Sequence, residues 1–366
     1  MPHDMVDLLL IEPYFGGSHR QFAEGIRRHS RHHVRLATLP GRYWRWRMRG
    51  SAPLFEERLR KSPAPGVILA SSMFPLAEFL GLAPPRFREA KTILYFHENQ
   101  LTYPLPEGER RDLHAVMTQI NGALAADRIL FNSRHHRREM LGALPGFLRA
   151  LPDHKPPGVA GRFRRSRVLP LGVDFESLGP PPRRRERKGE PILLWNHRWE
   201  HDKGREEFAL LIRRLRRRKV PFGLVVTGAS PGTRSDLFEE LPRIAGDRLR
   251  HVGFAPSRRD YARLLAGADL AVSTARHEFF GVSVLEAIHM GAFPLLPERL
   301  AYPEILDPGR HPECYYRSRE ELFDRAEELL TGPRPPVERY RRAAARFAWP
   351  HRIGAFDRLF EEILGS

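Results

Sequence analysis

Short apolar runs alternate with longer amphipathic stretches along the first half of the chain. The short runs have the length of strands, and the longer stretches have the period of helices. Strands are predicted at 5–11, 33–38, 66–71, 91–97, 128–131 and 167–171. Helices are predicted near 18–29, 111–125 and 134–148. Such an alternation is typical of a doubly wound α/β domain built on a parallel sheet.

The same pattern resumes after a segment rich in proline and arginine. Strands are predicted at 191–195, 222–227, 249–253, 269–273 and 292–296, with helices near 204–219, 258–266, 281–290 and 319–331. Residues 335–364 look helical, with an interruption at Trp349 and Pro350. We therefore predict an N-terminal domain at 1–178, a linker at 179–190, a second open α/β domain at 191–334, and C-terminal helices in 335–366 that pack back on the first domain.

Composition agrees with two folded domains. The chain has 366 residues, of which 41% are hydrophobic, enough to bury a core in each domain. The single cysteine, Cys314, permits no intrachain disulfide and no cysteine-based zinc site. No apolar run reaches the roughly 18 residues of a membrane-spanning helix. The opening stretch lacks the basic and apolar regions of a signal peptide, so we expect a first strand and a cytoplasmic protein.

A formal net charge of +17 suggests a polyanionic partner. Basic clusters lie at 27–33, 42–49, 162–167, 183–187 and 213–219. The cluster at 42–49 interleaves aromatic rings with Arg42, Arg45, Arg47 and Arg49. Guanidinium groups suit phosphates and aromatic rings suit bases, so this cluster resembles a contact with RNA. Solvated arginines, with rings lying over the core of the first domain, explain the same cluster without a partner.

Candidate chemistry lies in the loops that follow the predicted strands, where open α/β sheets bind their ligands. In the loop at 277–287, Glu278 and Glu286 bracket the start of a helix. Gly281 allows close approach, and the backbone N–H groups that follow can bind a diphosphate with the help of the helix dipole. The two glutamates would accept hydrogen bonds from hydroxyls of a nucleotide sugar. The spacing of the two glutamates alone also fits an ordinary amphipathic helix with acidic residues near its N-terminus.

Two loops of the first half are further candidates. Gly16 and Gly17 let the backbone after the first strand approach a phosphate or a sugar, although a tight turn with Ser18 as N-cap explains the same residues. The loop at 96–104 places several polar residues after a buried strand, beginning with His97. A structural histidine is the alternative at that position.

The segment at 278–287 resembles the E-x7-E segment of retaining GT4-type glycosyltransferases, which have the GT-B fold. The resemblance implies two Rossmann-like, doubly wound parallel-sheet domains that face a central cleft. It implies that Glu278 contacts the donor sugar and Glu286 the ribose, and that His97 lies near the reacting carbon. The loop at 195–204 is similar to the family's Arg…Lys-Gly element, so Arg198 and Lys203 would neutralise the leaving diphosphate. The implied donor-binding residues are Gly16, Gly17, Arg198, Lys203, Glu278, Phe280, Gly281, Val282, Ser283 and Glu286.

Longer strings at 13–19, 96–104, 131–134, 169–174 and 195–203 resemble the tRNA-queuosine α-mannosyltransferase family over nearly the whole chain. This resemblance implies transfer of mannose from GDP-mannose to the cyclopentene diol of queuosine, at the wobble position of aspartate tRNA. The first domain would bind the acceptor and the second the donor. The implied acceptor-binding residues are Ser18, His19, His97, Glu98, Asn99, Asn132 and Arg134. Arg42, Arg45, Arg47 and Arg49 would contact the tRNA backbone.

Neither a metal nor another cofactor is expected, because the chain lacks the Asp-x-Asp motif of the other glycosyltransferase fold. Arg198, Lys203 and a helix N-terminus would replace the cation. Two alternatives stay open. One is a GT4-type enzyme that acts on a lipid, glycan or small metabolite. The other is a non-catalytic RNA-binding protein of the same fold, which the joint presence of Arg198, Lys203, Glu278 and Glu286 disfavours.

Overall fold

The computed structural model describes residues 5–106, 108–153, 156, 158–182, 189–228, 236–333 and 336–365, with the side chains of 236–238 left out. The chain forms two compact units. Unit 1 comprises Met1–Val173 and Trp349–Ser366, and unit 2 comprises Asp174–Ala348. The predicted linker at 179–190 falls within the range of unit 2. Its residues 183–188 lie outside the described residues, and these include the whole basic cluster at 183–187.

Unit 1 is built on six parallel strands in the order β2-β1-β3-β4-β5-β6. The strands are β1 Asp7–Phe15, β2 His33–Pro40, β3 Val67–Ser71, β4 Lys91–Phe96, β5 Arg128–Phe131 and β6 Arg167–Val168. The helices are α1 Gly17–His29, α2 Trp44–Leu59, α3 Leu76–Leu82, α4 Pro85–Arg88, α5 Leu113–Ala125, α6 Arg134–Arg149 and α7 Val159–Arg164. The central strands are buried on both faces, which explains their continuous apolar runs.

Helix α2 has no counterpart among the predicted elements. Its first turn alternates aromatic and apolar residues with arginines, a period of two that hides a helix. The side chains of Met48, Ala52, Phe55 and Leu59 nevertheless follow helical spacing. They are buried in the hydrophobic clusters of unit 1. The arginine-rich cluster at 42–49 therefore lies on an ordered helix and the turn before it.

Unit 2 repeats the architecture with the order β12-β11-β10-β7-β8-β9. Its strands are β7 Ile192–Trp195, β8 Gly223–Thr227, β9 Leu249–Gly253, β10 Leu270–Val272, β11 Phe293–Pro297 and β12 Tyr315–Tyr316. Its helices are α8 Arg205–Arg217, α9 Asp236–Ala245, α10 Arg258–Ala266, α11 Val282–Met290, α12 Tyr302–Ile305, α13 Arg319–Thr331 and α14 Glu338–Ala345. Among the helices described, none is long and apolar enough to span a bilayer.

Each sheet has a switch point beside the first strand of its unit. In unit 2, β7 lies between β8 and β10, and in unit 1, β1 lies between β2 and β3. At a switch point the loops that leave the two neighbouring strands diverge and open a crevice at their carboxyl ends. The loops after β7 and β10 contain Arg198, Lys203 and Glu278, so the topology of unit 2 brings these predicted residues together.

The predicted C-terminal helices divide between the two units. Helix α14 belongs to unit 2, whereas α15, Trp349–Leu364, belongs to unit 1 and packs against α1. The predicted interruption at Trp349 and Pro350 is confirmed, because α15 begins there. Trp349 is buried over two glycines: a Cβ atom added to Gly25 or Gly172 would lie 2.0 or 2.2 Å from the indole ring. The absence of side chains at both positions makes room for the anchor of α15.

Substituting Gly25 tests this packing. Gly25→Ala should lower the thermal midpoint by several degrees, because forcing a methyl group into a filled core costs about 1–3 kcal/mol. Gly142→Ala is the matched control, since it also adds one methyl group within a helix but meets no atom within 4 Å. It should leave the midpoint unchanged or raise it slightly. Equal midpoints for the two variants in differential scanning calorimetry would contradict the proposed packing.

Candidate functional site

Two loops of unit 2 are fixed to each other at the switch point. Asn196, after β7, donates from its side-chain nitrogen to the carbonyl of Ser283 at 2.7 Å and to the Tyr261 hydroxyl at 3.2 Å. Gly204 has a φ of +65°, and a Cβ atom there would lie 2.0 Å from the carbonyl oxygen of Thr274. Only glycine satisfies both constraints. The loop after β7 therefore lies directly against the loop after β10.

Lys203 is buried between two carboxylates in this arrangement. Its Nζ lies 3.0 Å from Oδ2 of Asp202 and 3.3 Å from Oε2 of Glu278, and it donates to the carbonyl of His277 at 2.9 Å. Burial alone would lower the pKa of Lys203, but Glu278 and Asp202 outweigh it and raise that pKa. Burial alone would raise the pKa of Glu278, but Lys203 outweighs it and lowers that pKa. All three groups are therefore charged at neutral pH.

This charge balance separates Arg198 from Lys203, which the sequence placed in the same role. One ammonium faces two carboxylates, so the positive charge of Lys203 is offset inside the protein. The Arg198 side chain is 51% exposed and its Nη1 lies 3.1 Å from Glu200. The guanidinium of Arg198 therefore reaches solvent, whereas the ammonium of Lys203 is paired with Glu278 inside the protein.

Helix α11 begins at the position where the sequence predicts an anion-binding helix terminus. Gly281 is the N-cap with a φ of +99°, and no side chain caps the helix. A Cβ atom at Gly281 would lie 2.9 Å from Ile305, so a larger residue would disturb the turn. Glu278 itself accepts a hydrogen bond from the backbone N–H of Phe280 at 3.3 Å. The first turn of α11 begins at Val282, four residues after Glu278, and its backbone N–H groups follow this carboxylate closely in the chain.

Glu286 is buried in a polar cluster that the sequence did not reveal. Its Oε1 accepts from Arg258 at 2.7 Å, and its Oε2 accepts from the Tyr261 hydroxyl at 3.0 Å. A carboxylate has about four lone-pair positions, so it can still accept from a ribose hydroxyl. Arg258 and Tyr261 lie on α10, which carries no recognisable motif. Asp202 was also missed, although its position next to Lys203 offered a signal.

The candidate residues of unit 1 centre on a buried trio. Glu12 accepts from Nδ1 of His19 at 2.9 Å, from the backbone N–H of Tyr14 at 2.9 Å and from the Ser71 hydroxyl at 3.2 Å. The ring of His97 lies 4.4 Å from the ring of His19. Ligand atoms of Glu12, His19 and His97 lie within 4.8 Å of one another, a spacing that could hold a metal ion. Glu12 was not among the predicted site residues, although it lies only four positions before Gly16.

His97 carries a neutral imidazole. Burial, followed by the neighbouring His19 and His136, holds the pKa of His97 well below its usual range. Its Nε2 is buried and has no hydrogen-bond partner within the described part of the chain. Such a group can accept a hydrogen bond but does not supply a positive charge at neutral pH.

Two predicted acceptor ligands are buried and engaged within the protein. Asn132 donates to the carbonyl of His97 at 2.9 Å, and its Oδ1 lies 2.8 Å from Nδ1 of His136. Asn99 is fully buried, and its Oδ1 accepts from the backbone N–H and the hydroxyl of Thr102 at 2.8 and 3.1 Å. The side-chain nitrogen of Asn99 is buried and has no hydrogen-bond partner among the described residues. Both asparagines thus hold neighbouring groups in place, and their binding of the acceptor stays a prediction.

The remaining predicted residues of unit 1 reach the surface. Gly17, Ser18 and Arg134 are exposed, and Glu98 is half-buried. Ser18 is not the N-cap that the sequence suggested, because α1 begins at Gly17 with Gly16 as its N-cap. Arg134 opens α6, where Ser133 caps the helix. Ser18, Glu98 and Arg134 therefore keep side chains that an acceptor can reach.

The buried His197 generates a pH prediction. Burial, followed by the charge of Lys203, lowers the pKa of His197 to about 4. An unfolded histidine binds a proton below about pH 6.5, so stability falls as the pH drops from 6.5 towards 4. Between pH 6.5 and 4.5 this one group should cost about 2–3 kcal/mol of the free energy of unfolding. Denaturant titrations of the parent chain and of His197→Gln should show a shallower decline in the variant.

The surface-exposed His351 offers the control for this measurement. His351→Gln should keep the decline of the parent chain. If His197→Gln loses stability between pH 6.5 and 4.5 as steeply as the parent does, the buried neutral state of His197 is wrong.

Solved structures similar to this one identify the fold. Sucrose-phosphate synthase from Thermosynechococcus elongatus superimposes with a TM-score of 0.72 at 16% identity, over 98% of this chain and 99% of that one. The catalytic domain of starch synthase IV from Arabidopsis thaliana gives a TM-score of 0.72 at 11% identity, over 99% of this chain and 100% of that one. The predicted α/β fold of the GT-B class is confirmed.

Sequence comparisons identify the family. A family model for the tRNA-queuosine alpha-mannosyltransferase N-terminal region matches residues 7–173, and one for family 4 glycosyltransferases in conflict systems matches residues 158–299. A GDP-mannose:cellobiosyl-diphosphopolyprenol alpha-mannosyltransferase of Xanthomonas campestris is 23% identical over 55% of this chain and 54% of its own length. The tRNA-queuosine alpha-mannosyltransferase of Drosophila melanogaster is 36% identical over 309 residues, which are 81% of each chain. This chain therefore belongs to the tRNA-queuosine alpha-mannosyltransferase family.

Proposed function

We propose that this protein is a retaining mannosyltransferase that moves mannose from GDP-mannose to the cyclopentene diol of queuosine in aspartate tRNA. Its relative in Drosophila melanogaster is named for the transfer to tRNA queuosine, and its relative in Xanthomonas campestris for the use of GDP-mannose. The observation that carries the proposal is the Lys203–Glu278 pair beside the N-terminus of α11. It combines a fixed carboxylate for sugar hydroxyls with backbone donors for a diphosphate.

Unit 2 supplies the charge stabilisation in this proposal. As the bond between mannose and the diphosphate breaks, negative charge grows on the phosphate oxygens. Arg198 and the N–H groups that open α11 are the groups placed to stabilise it. Lys203 fixes Glu278 so that the carboxylate can orient the mannose, and Glu286 binds the ribose. With retention, the leaving diphosphate accepts the proton of the attacking hydroxyl, so no carboxylate nucleophile is needed.

Unit 1 supplies the acceptor side. Ser18, Glu98 and Arg134 offer side chains to the tRNA, and His97 offers a neutral imidazole. Neutrality suits a group near a sugar carbon that becomes positively charged, because a second positive charge would repel it. Asn132 holds the backbone of His97, and Glu12 holds His19.

We further propose that the reaction needs no metal ion. Glu12 already accepts three hydrogen bonds from Tyr14, His19 and Ser71, so its carboxylate is satisfied by the protein alone. In unit 2, Arg198 and the helix terminus provide the positive potential that a divalent cation would otherwise provide.

A product assay tests the reaction. The protein is incubated with queuosine-bearing aspartate tRNA and, in turn, the GDP, UDP and ADP forms of common hexoses, and the nucleosides are analysed by mass spectrometry. We expect a hexosylated queuosine with GDP-mannose, in equal yield with and without a chelator. Transfer that stops in the chelator and returns with magnesium or manganese would refute the metal-independent mechanism. Hexosylation of a lipid or glycan but not of tRNA would overturn the proposed acceptor.

Substitutions in unit 2 test the donor assignment. Arg198→Ala should lower kcat by about 10²–10³-fold, the loss expected when one group that stabilises developing charge is removed. Glu278→Gln should reduce transfer while keeping the side chain's shape. Both variants should bind tRNA with the Kd of the parent chain. Arg213→Ala removes an arginine that is also half-exposed and paired with a glutamate, and it should leave turnover unchanged.

Lys203→Ala is a poorer test of the donor site than Arg198→Ala. Removing the ammonium leaves Asp202 and Glu278 buried without compensation, which commonly costs about 3–5 kcal/mol. Loss of activity in that variant would therefore mix lost stability with lost chemistry. If Arg198→Ala weakens tRNA binding by the same factor as turnover, Arg198 belongs to the acceptor site and not to the donor site.

A further inference from the structure

Two large aromatic side chains stand exposed at the start of α2. Tyr43 is 70% exposed and Trp46 is 65% exposed. Trp44, between them in sequence, is half-buried and packs with Tyr14 against Met48 and Met73. Trp44 therefore anchors this segment in the core, whereas Tyr43 and Trp46 face solvent. Two exposed rings three residues apart in sequence are a candidate interaction site.

The backbone around Tyr43 is held in an unusual conformation. Tyr43 has a φ of +55° and a ψ of +43°, which is uncommon for a residue other than glycine and persists only where the surroundings fix it. Gly41 is pressed against the glycine loop after β1, since a Cβ atom there would lie 2.9 Å from the Cα atom of Gly16. The backbone N–H of Arg42 donates to the carbonyl of Pro40 at 2.8 Å.

Trp46 is also fixed, because its ring lies over Gly50 one turn later on α2. A Cβ atom at Gly50 would lie 2.9 Å from the indole. The ring rests on the helix backbone instead of rotating freely. We name Tyr43 and Trp46 the aromatic platform. The backbone at Tyr43 and the ring of Trp46 are held in place by the chain itself, which lowers the entropy cost of binding a partner.

The aromatic platform lies at the edge of unit 1 that carries the acceptor residues. The contact between Gly41 and Gly16 joins the turn before α2 to the loop that continues into Ser18 and His19. Trp44 packs beside Tyr14, whose ring lies 5.8 Å from the ring of His19. The turn that carries the platform and the loop that carries Ser18 and His19 are therefore neighbours in unit 1.

The charges around the platform favour RNA but limit the part played by phosphate contacts. Arg45 is paired with Glu109 at 3.0 Å, and Arg49 is paired with Asp112. Arg42 lies 5.6 Å from the ring of Tyr43. The paired arginines contribute less net attraction than unpaired ones would, whereas the side chains of Tyr43 and Trp46 stay largely exposed beside Arg42 and Gly50. Rings beside guanidinium groups bind unpaired bases, which stack on aromatic faces.

We propose that Tyr43 and Trp46 stack on unpaired bases of the tRNA anticodon loop and so present the wobble nucleoside to the acceptor residues. This inference rests on the proposed function. The wobble position lies in a single-stranded loop, where bases can leave their stack and meet an aromatic face. Phosphates then add to the binding through Arg42 instead of dominating it.

The test uses the full chain and a labelled anticodon stem-loop of aspartate tRNA, with affinity measured by fluorescence anisotropy. The double variant Tyr43→Gly and Trp46→Ala should bind about 10-fold or more weakly, given the usual contribution of stacking per base. Glycine tolerates the left-handed backbone at position 43, and alanine suits the helix at position 46, so the fold should persist. Trp46→Phe should retain most of the affinity, because it keeps a ring.

Two further measurements separate stacking from other effects. The slope of log Kd against log salt should stay at the parent value in the double variant, because no charge is removed. Phe254→Ala removes a ring from unit 2 that is also 70% exposed, and it should bind the stem-loop like the parent. Hydrolysis of GDP-mannose without tRNA should be unchanged in every one of these variants.

The outcomes distinguish this inference from the proposed function. If the parent chain neither binds nor modifies the stem-loop or the full tRNA, the proposed function fails and the platform's role fails with it. If the parent binds and the double variant binds equally well, only the stacking role is overturned. A loss of affinity that comes with a flatter salt slope would assign the surface to phosphate binding and would also overturn stacking.

Discussion

The buried ammonium of Lys203 is the interaction on which the candidate donor site depends. It joins a carboxylate from its own loop, Asp202, to one from the loop after β10, Glu278. A buried charge is tolerated only when it is paired and hydrogen-bonded, so each member of this cluster requires the others. The cost of breaking it fixes the position of Glu278 more firmly than packing alone would. A carboxylate held in this way keeps its orientation when a sugar binds and when the sugar leaves.

The strand order explains why this cluster forms where it does. Lys203 and Glu278 are far apart in sequence, but β7 and β10 are neighbours in the sheet, so their carboxyl ends lie side by side. Gly204 then brings the two loops into contact, because a side chain at that position would overlap Thr274. Unit 1 has a similar arrangement at β1 and β3, where Glu12, within the last part of β1, accepts a hydrogen bond from Ser71, the last residue of β3. In both units the polar residues lie at the switch point and the cores stay apolar.

The sequence predicted the elements whose hydrophobic residues recur with a regular period and the residues that belong to a recognisable motif. All the strands expected in both halves are present, as are α1, α5, α6, α8, α10, α11 and α13, with shifts of a few residues at their ends. Helix α2 was missed because arginines alternate with its aromatic residues, and the two-residue strand β12 was too short to recognise. Motifs located Glu278, Glu286 and Lys203. They could not reveal Arg258 or Tyr261, because these approach Glu286 through tertiary packing from a helix whose sequence pattern shows only its buried face.

Distances and burial also change the roles that the residue types suggested. Arg198 and Lys203 look equivalent in sequence. In the structure the charge of Lys203 is paired with the buried Asp202 and the partly buried Glu278, whereas Arg198 remains half-exposed. Asn99 and Asn132, the two asparagines predicted to bind the acceptor, also hold nearby backbone groups in place. The two units thus handle buried polar groups differently. Unit 2 keeps a charged cluster that holds its shape electrostatically, whereas unit 1 keeps His97 neutral by burial. The diphosphate of the proposed donor requires positive potential, which in this proposal comes from Arg198 and the N-terminus of α11 and not from the cluster, whose own ammonium is offset by two carboxylates. In unit 1 the neutral imidazole of His97 adds no positive charge.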